Sequence, residues 1–144
     1  MPDLSPVLYV HPHNHARPDA IPVGSVAAVN LLPAVVTGKF AEEVERRDIE
    51  CARVILLDLH WFLPLSVLDG TLRSMRAVNP SARIVVGGLT ASFYRDDFLR
   101  RFDVDYVLSG DIEPSFPTLI GHLLAGEEAP PLPNVWARGR PAPE

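Results

Sequence analysis

Two stretches decide the fold of this chain: Ala82-Arg83-Ile84-Val85-Val86-Gly87-Gly88-Leu89-Thr90-Ala91-Ser92 and Val104-Asp105-Tyr106-Val107-Leu108-Ser109-Gly110-Asp111-Ile112-Glu113. Each contains a short apolar run that ends in glycine, and the sequence predicts an amphipathic helix between them, from Tyr94 to Phe102. Two buried strands joined by one helix form a βαβ unit with parallel strands. In open parallel sheets, ligands bind beyond the carboxyl ends of the strands, so we expect a site at these glycines.

Further apolar runs predict strands on either side of this unit. Val7-Leu8-Tyr9-Val10 and Val54-Ile55-Leu56-Leu57 have the continuous apolar character of strands buried on both faces. A very short second strand is expected at Val35-Val36, and an edge strand at residues 134–137. We therefore expect the fourth and fifth strands to be those of the βαβ unit.

The segments between the strands predict helices. They are residues 26–32 behind Ser25, the charged residues 40–50, a helix behind Ser66 that ends at Asn79-Pro80, and a last helix with Pro114 in its first turn. Strands and helices alternate along the whole chain. This alternation predicts a flavodoxin-like, doubly wound α/β fold, with a mostly parallel five-stranded sheet and helices on both faces.

In the flavodoxin-like strand order, the ends of the first, third, fourth and fifth strands meet at one edge of the sheet. Those ends carry residues 11–15, 58–61, 87–90 and 109–113. The polar and glycine residues of the chain therefore converge on one rim, where we expect any functional site.

Composition excludes several classes of protein. The net charge of −5 disfavours a nucleic-acid partner, because a phosphate backbone requires a basic face. Cys51 is the only cysteine, which rules out a multi-cysteine metal or iron–sulfur site within this chain. No apolar run is long enough to span a membrane, so we expect a cytoplasmic protein without a membrane partner. We expect one domain over residues 1–138 and the start of a linker or tail at 139–144.

Common uses of this fold are excluded by missing motifs. The chain has no G-x-G-x-x-G after a strand and no Walker lysine motif, which disfavours dinucleotide and P-loop binding. A phosphoryl-accepting receiver domain needs an acidic cluster after its first strand, where this chain has His11. His11-Pro12-His13-Asn14-His15 also differs from the Ser/Thr/Gly-rich phosphate loop of a flavodoxin.

Three segments resemble a known family in the correct order. They are Val85-Val86-Gly87-Gly88-Leu89-Thr90-Ala91-Ser92, the stretch from Val104 to Pro114, and Leu132-Pro133-Asn134-Val135-Trp136-Ala137-Arg138. Together they resemble the N-terminal cobalamin (vitamin B12)-binding domain of cobalamin-dependent radical S-adenosylmethionine proteins. Asp58-Leu59-His60-Trp61 resembles a variant third-strand ending in one branch of these proteins. The resemblance covers most of the chain, from about Val7 to Arg138.

The resemblance implies a Rossmann-like module that holds a corrinoid across the strand ends and presents it to a radical S-adenosylmethionine barrel, in cis or in trans. Helix N-termini near Ser66, Ser92 and Pro114 would face a phosphate in its nucleotide tail. The cofactor-binding residues implied are Asp58, His60, Trp61, Gly87, Gly88, Thr90, Ser92, Ser109, Gly110 and Glu113. No catalytic residue is expected.

Two departures from the family pattern limit what is expected. Other cobalamin domains carry D-x-H-x-x-G after the first strand, and its histidine coordinates cobalt. Here Asp58-Leu59-His60 follows the third strand and Leu63 replaces the glycine, so we expect no protein histidine ligand to the cobalt. The C-x-x-x-C-x-x-C motif is absent, so the iron–sulfur cluster and S-adenosylmethionine would belong to a partner domain. The chain is not a radical enzyme by itself.

Alternative interpretations remain open at this stage. The chain is either this cobalamin module or a degenerate flavodoxin-like scaffolding domain without cofactor, whose groove is filled by Leu89, Phe93 or Ile112. A third interpretation is a small-molecule enzyme that uses Asp58, His60 and Glu113. His11, His13 and His15 form either a metal site or an ordinary polar loop. His60-Trp61 either stacks on a planar ligand or covers the end of the sheet.

Overall fold

A computed structural model describes residues 5–11, 23–60 and 65–143 of the 144-residue chain. The strands are β1 Val7–His11, β2 Val36–Phe40, β3 Val54–Asp58, β4 Arg83–Gly87, β5 Tyr106–Leu108 and β6 Val135–Ala137. The helices are α1 Val23–Asn30, α2 Arg46–Cys51, α3 Leu65–Val78, α4 Leu89–Phe93, α5 Arg95–Arg101 and α6 Phe116–Leu124.

The sheet confirms the predicted architecture. Its strand order is β2-β1-β3-β4-β5-β6, in which the first five strands are parallel and β6 pairs antiparallel with β5. The five parallel strands have the flavodoxin-like order, and the expected edge strand is the sixth. The carboxyl ends of β1, β3, β4 and β5 therefore lie at one edge of the sheet.

Two apolar cores cover the two faces of this sheet. Alternation along β3 directs Ile55 and Leu57 into the core that contains α3 and α5, and Val54 and Leu56 into the core that contains α1 and α6. All five residues of β3 are buried. This central strand is covered on both faces, as its apolar run predicted.

The second strand and the following helix differ from expectation. Residues 40–50 were expected to be helical, but Phe40 is the last residue of β2, which pairs with β1 from Val7↔Val36 to His11↔Phe40. A 3₁₀ turn over Ala41–Glu43 follows, and only Arg46–Cys51 forms an α-helix. Pairing with β1 decides the conformation of residues 36–40. A neighbouring strand provides hydrogen-bonding partners for the backbone, and such long-range partners cannot be inferred from local propensity.

Several predicted helix starts are also wrong by a few residues. Ser25 and Ser66 lie within α1 and α3 rather than at their N-caps. Ser92 lies inside α4, which follows Gly88. The last helix begins at Phe116, so its first-turn proline is Pro117 and not Pro114. A turn in which the amide of Phe116 donates to the carbonyl of Ile112 at 2.8 Å precedes that helix.

Gly88 is required by a close approach between two loops. Its φ of +97° lies in the left-handed region, and a Cβ atom on it would lie 2.7 Å from the carbonyl carbon of Leu59. The amide of Leu59 donates to the carbonyl of Gly87 at 2.7 Å, and the amide of Thr90 donates to the carbonyl of Leu59 at 2.8 Å. The loops that follow β3 and β4 are thereby joined backbone to backbone.

We predict opposite outcomes for alanine at the two adjacent glycines. Gly88→Ala should lower the free energy of unfolding by about 3 kcal/mol or more, because left-handed strain of about 1–3 kcal/mol adds to a backbone clash. Gly87→Ala should change it by less than about 1 kcal/mol, since the new Cβ would make an ordinary 3.6 Å contact with Leu108. Urea unfolding followed by circular dichroism measures both, and equal losses would contradict this account.

Candidate functional site

A groove of about 500 Å³ opens at the carboxyl end of the sheet. This volume is within the range of roughly 300–1,000 Å³ that is typical of small-molecule sites. The loops after β3, β4 and β5 form its walls. Predicted site residues that line it are His60, Gly88, Ser92, Gly110 and Glu113. Residues outside the predicted cofactor-binding set also line it: Ala28, Leu89, Leu108, Asp111 and Ile112.

A smaller cavity of about 40 Å³, which we call the inner pocket, adjoins this groove. Ala28, Gly88, Leu108 and Ile112 line both spaces. The inner pocket is bordered mainly by apolar residues of the core that packs against α1 and α6. Its polar lining residues are Tyr9 and Asp58, and the predicted residue Gly87 also borders it.

Asp58 is the buried polar centre of this end of the sheet. Its side chain is only 2% exposed. The hydroxyl of Tyr9 donates to Oδ2 of Asp58 at 2.5 Å, and Nδ1 of His11 lies 3.5 Å from the same oxygen. Nε2 of His60 lies 3.1 Å from the other oxygen, Oδ1. Neither of these two histidine contacts has the geometry of a hydrogen bond. Within the described chain, Oδ1 of Asp58 and Nδ1 of His11 have no hydrogen-bond partner.

The environment of Tyr9 strongly favours its neutral form. Burial raises the pKa of the Tyr9 hydroxyl well above its ordinary value, and the hydrogen bond to Asp58 and the charge of that carboxylate raise this pKa further. Tyr9 therefore acts as a permanent hydrogen-bond donor to Asp58 at physiological pH. Sequence reasoning missed Tyr9, although a tyrosine inside a buried strand signals a polar partner, since its hydroxyl needs one.

The remaining predicted residues are not found in the described lining of the groove or of the inner pocket. Thr90 and Ser109 are buried and are not among the residues that line the groove or the inner pocket. Trp61, His13 and His15 lie outside the described residues. The roles of all the predicted residues in binding a cofactor stay predictions.

The loop after β5 is held by Asn134, the residue immediately before β6. The amide of Ser109 donates to the carbonyl of Asn134 at 3.1 Å, and Nδ2 of Asn134 donates to the carbonyl of Asp111 at 2.5 Å. Gly110 between them has a φ of +90°. Thus β6 supports one wall of the groove from the edge of the sheet, a role that the sequence pattern did not indicate.

The groove bears on the geometric requirements of the scaffolding and enzyme interpretations. The scaffolding interpretation expected apolar side chains to fill the groove, but Leu89 is 57% and Phe93 77% exposed, and Ile112 lines an open space. The enzyme interpretation required His60 beside a carboxylate, and His60 does lie beside Asp58. Glu113 lines the groove.

The residues that the structure describes include no group of three or more His, Cys, Asp or Glu side chains able to hold a metal ion. In the same ranges, no helix is both long enough and apolar enough to cross a bilayer.

Comparison with solved structures finds the same fold in a larger protein. The chain superposes on a radical S-adenosylmethionine methyltransferase, TsrM, from Kitasatospora setae, solved with cobalamin and a [4Fe-4S] cluster bound. The TM-score is 0.71 at 12% sequence identity, over 91% of this chain and 27% of that chain. A second structure of TsrM, with tryptophan substrate and the S-adenosylmethionine analogue aza-SAM bound, gives a TM-score of 0.71 at 13% identity, over 91% and 28%.

This chain spans about a quarter of the length of those chains. At such low identity the likeness establishes the fold, which is α/β with a mostly parallel six-stranded sheet. No protein-family model matches the chain, and no curated protein is similar to it in sequence.

We predict that Tyr9 makes stability depend on pH in the alkaline range. The unfolded chain ionises this tyrosine near pH 10, whereas the folded chain keeps the proton. The contribution of Tyr9 to the free energy of unfolding is therefore fully present below about pH 10. It is lost as the pH rises further, by up to about 1.4 kcal/mol per pH unit for one proton. Urea unfolding between pH 8 and pH 11 should show a shallower fall in Tyr9→Phe than in the native chain.

Tyr106 is the matched control, because its pKa is also raised, by burial and by its hydrogen bond to Glu128. Tyr106→Phe should remove the part of the alkaline loss of stability that Tyr106 causes, and it should leave the part that Tyr9 causes. An identical slope in the native chain and Tyr9→Phe would contradict the raised pKa of Tyr9, which burial and the contact with Asp58 produce together.

Proposed function

We propose that this chain is a cobalamin-binding module that presents a corrinoid to a radical S-adenosylmethionine barrel, in cis or in trans. The observation that carries this proposal is the open groove of about 500 Å³ at the carboxyl ends of β3, β4 and β5. The groove lies where ligands bind in doubly wound folds, and TsrM, which has the same fold over 91% of this chain, was solved with cobalamin bound.

The polar groups of the groove suit the periphery of a corrinoid. A corrinoid carries several primary amides, whose N–H groups are hydrogen-bond donors. Asp111 and Glu113 line the groove and are exposed, so their carboxylates are available to accept such bonds. Ser92 adds a hydroxyl that both donates and accepts. These residues would hold and orient the corrinoid rather than take part in chemistry.

The apolar part of the groove suits the nucleotide tail. Ala28, Leu108 and Ile112 line both the groove and the inner pocket, and they give the groove an apolar surface against which an aromatic base would pack. Among the described residues, no lysine or arginine lines the groove, so backbone N–H groups of the glycine-containing loops after β4 and β5 would serve as donors for the phosphate of the tail.

When bound, cobalamin supplies a cobalt ion that carries a methyl group or an electron. We keep the proposal that no histidine of this chain coordinates that ion. His60 is the residue that tests this, because it is the histidine that lines the groove among the described residues. His60→Ala should therefore leave the absorbance spectrum of the bound corrinoid unchanged. A spectral shift in this variant would assign His60 as a ligand.

The experiment that tests the function is binding of hydroxocobalamin to the chain, measured by calorimetry and by absorbance after gel filtration. The native chain should retain the corrinoid. Ser92→Trp should weaken binding at least about tenfold, because an indole on α4 would occupy the groove. Ser74→Trp is the matched control, since Ser74 is an exposed serine on α3 that does not line the groove.

Equal binding by Ser92→Trp and the native chain would move the ligand away from this groove. Absence of binding by the native chain at millimolar corrinoid would overturn the proposed function and favour the scaffolding interpretation.

A further inference from the structure

Asn134 contacts the backbone of three consecutive residues in the loop after β5. Its carbonyl accepts a hydrogen bond from the amide of Ser109 at 3.1 Å, and its Nδ2 donates to the carbonyl of Asp111 at 2.5 Å. Gly110 lies between these two bonds, and a Cβ atom on it would lie 3.2 Å from Oδ1 of Asn134. Asn134 therefore holds residues 109–111 through both its backbone and its side chain.

The backbone of Asn134 has a conformation that few residues adopt. Its φ of 61° lies in the left-handed region, and among the described residues it is the only one other than glycine with a positive φ. The turn in which the amide of Val135 donates to the carbonyl of Leu132 at 3.2 Å, and the pairing of Val135 with Leu108, fix this conformation. Such conformations persist where the surrounding structure over-determines them, and they cluster at ligand-binding sites.

The segment that Asn134 holds forms part of the groove. Gly110 and Asp111 both line the groove, and Asp111 is exposed there. Asn134 is half-buried and is not among the lining residues. It would therefore act on a ligand in the groove through the loop after β5 and not by direct contact.

Few other contacts hold the backbone of this loop. Within the described chain, the bonds with Asn134 are the only hydrogen bonds that join the backbone of residues 109–111 to another part of the structure. The next fixed point is the turn in which the amides of Ser115 and Phe116 donate to the carbonyl of Ile112. A loop that is fixed before the ligand arrives loses less conformational entropy on binding, and this raises the affinity.

We propose that Asn134 is a positioning residue, which fixes the loop after β5 and thereby presents the carboxylate of Asp111 to a ligand in the groove. This inference rests on the proposed function, in which that carboxylate accepts a hydrogen bond from a primary amide of the corrinoid. Hydrogen bonds weaken steeply when donor and acceptor are misaligned, so the affinity depends on where the loop holds Asp111.

Hydrogen exchange of the ligand-free chain tests whether Asn134 holds the loop. Asn134→Gly deletes the side chain, and Asn134→Asp replaces the Nδ2 donor by an oxygen that cannot donate at neutral pH, while glycine and aspartate both tolerate the left-handed backbone. In both variants the amide of Ser109 should exchange about fivefold faster or more, because the loop opens more often. The amides of Ile55 and Leu57 in β3 should exchange as in the native chain, which shows that the fold is intact. Unchanged exchange at Ser109 would overturn the inference, whether or not a corrinoid binds.

Titration calorimetry with hydroxocobalamin tests the effect on binding. Asn134→Gly and Asn134→Asp should each raise the dissociation constant about fivefold or more, as expected for the loss of one hydrogen bond that fixes the site. Asp111→Ala should also weaken binding. The double variant Asn134→Gly/Asp111→Ala should bind about as tightly as the weaker of the two single variants, because a carboxylate that has been removed cannot be positioned.

Ser92→Ala is the matched control for this double-mutant cycle. Ser92 lines the groove from α4, a different element from the loop that Asn134 holds. The losses of affinity in Ser92→Ala and Asn134→Gly should therefore multiply in the double variant, since the two residues act on the ligand independently.

The outcomes distinguish this inference from the proposed function. Native affinity in both variants of Asn134 would overturn its positioning role while leaving corrinoid binding standing. The same conclusion would follow if the losses in Asn134→Gly and Asp111→Ala simply multiplied. Failure of the native chain to bind hydroxocobalamin would overturn the proposed function, and this inference with it.

Discussion

The close contact between the backbone of Gly88 and that of Leu59 and His60 is the constraint on which the carboxyl end of the sheet depends. No side chain fits between these segments, since a Cβ on Gly88 would lie 2.7 Å from Leu59 and 2.9 Å from the amide nitrogen of His60. Hydrogen bonds from Leu59 and Thr90 close the contact on both sides. It fixes His60 after β3 and the start of α4 after β4, and these two segments form adjacent walls of the groove.

Glycine after a strand therefore has two different physical reasons in this chain. Gly88 is glycine because of the fold, and no ligand is needed to explain it. Gly87 is not required by backbone conformation, and its effect is to leave space beside Asp58. A double glycine that appears in sequence as one signal is thus one structural residue and one residue that shapes a cavity.

The buried group formed by Tyr9, His11 and Asp58 is unusual for its surroundings. It lies at the end of strands that are otherwise apolar, between residues of a tightly packed core, and Nε2 of His60 lies 3.1 Å from its second carboxylate oxygen. Proteins retain such groups where function requires them, because replacing them with apolar residues would avoid the cost of burying polar atoms. The open groove beside this group is consistent with a site that is completed by a ligand.

Sequence alone determined the α/β class and the parallel strands β1, β3, β4 and β5, and the rim on which polar residues converge followed once the flavodoxin-like strand order was assumed. These features are local: apolar runs, glycines and alternation with helices report burial and turns directly. Sequence failed where distant segments decide the outcome. Residues 36–40 form a strand because β1 lies beside them, Asn134 holds the loop after β5 across the sheet edge, and Tyr9 meets Asp58 only when β1 and β3 pair. Only the tertiary structure assigned different reasons to Gly87 and Gly88, because the distance from each glycine to a neighbouring strand is set by packing and leaves no trace in composition or spacing.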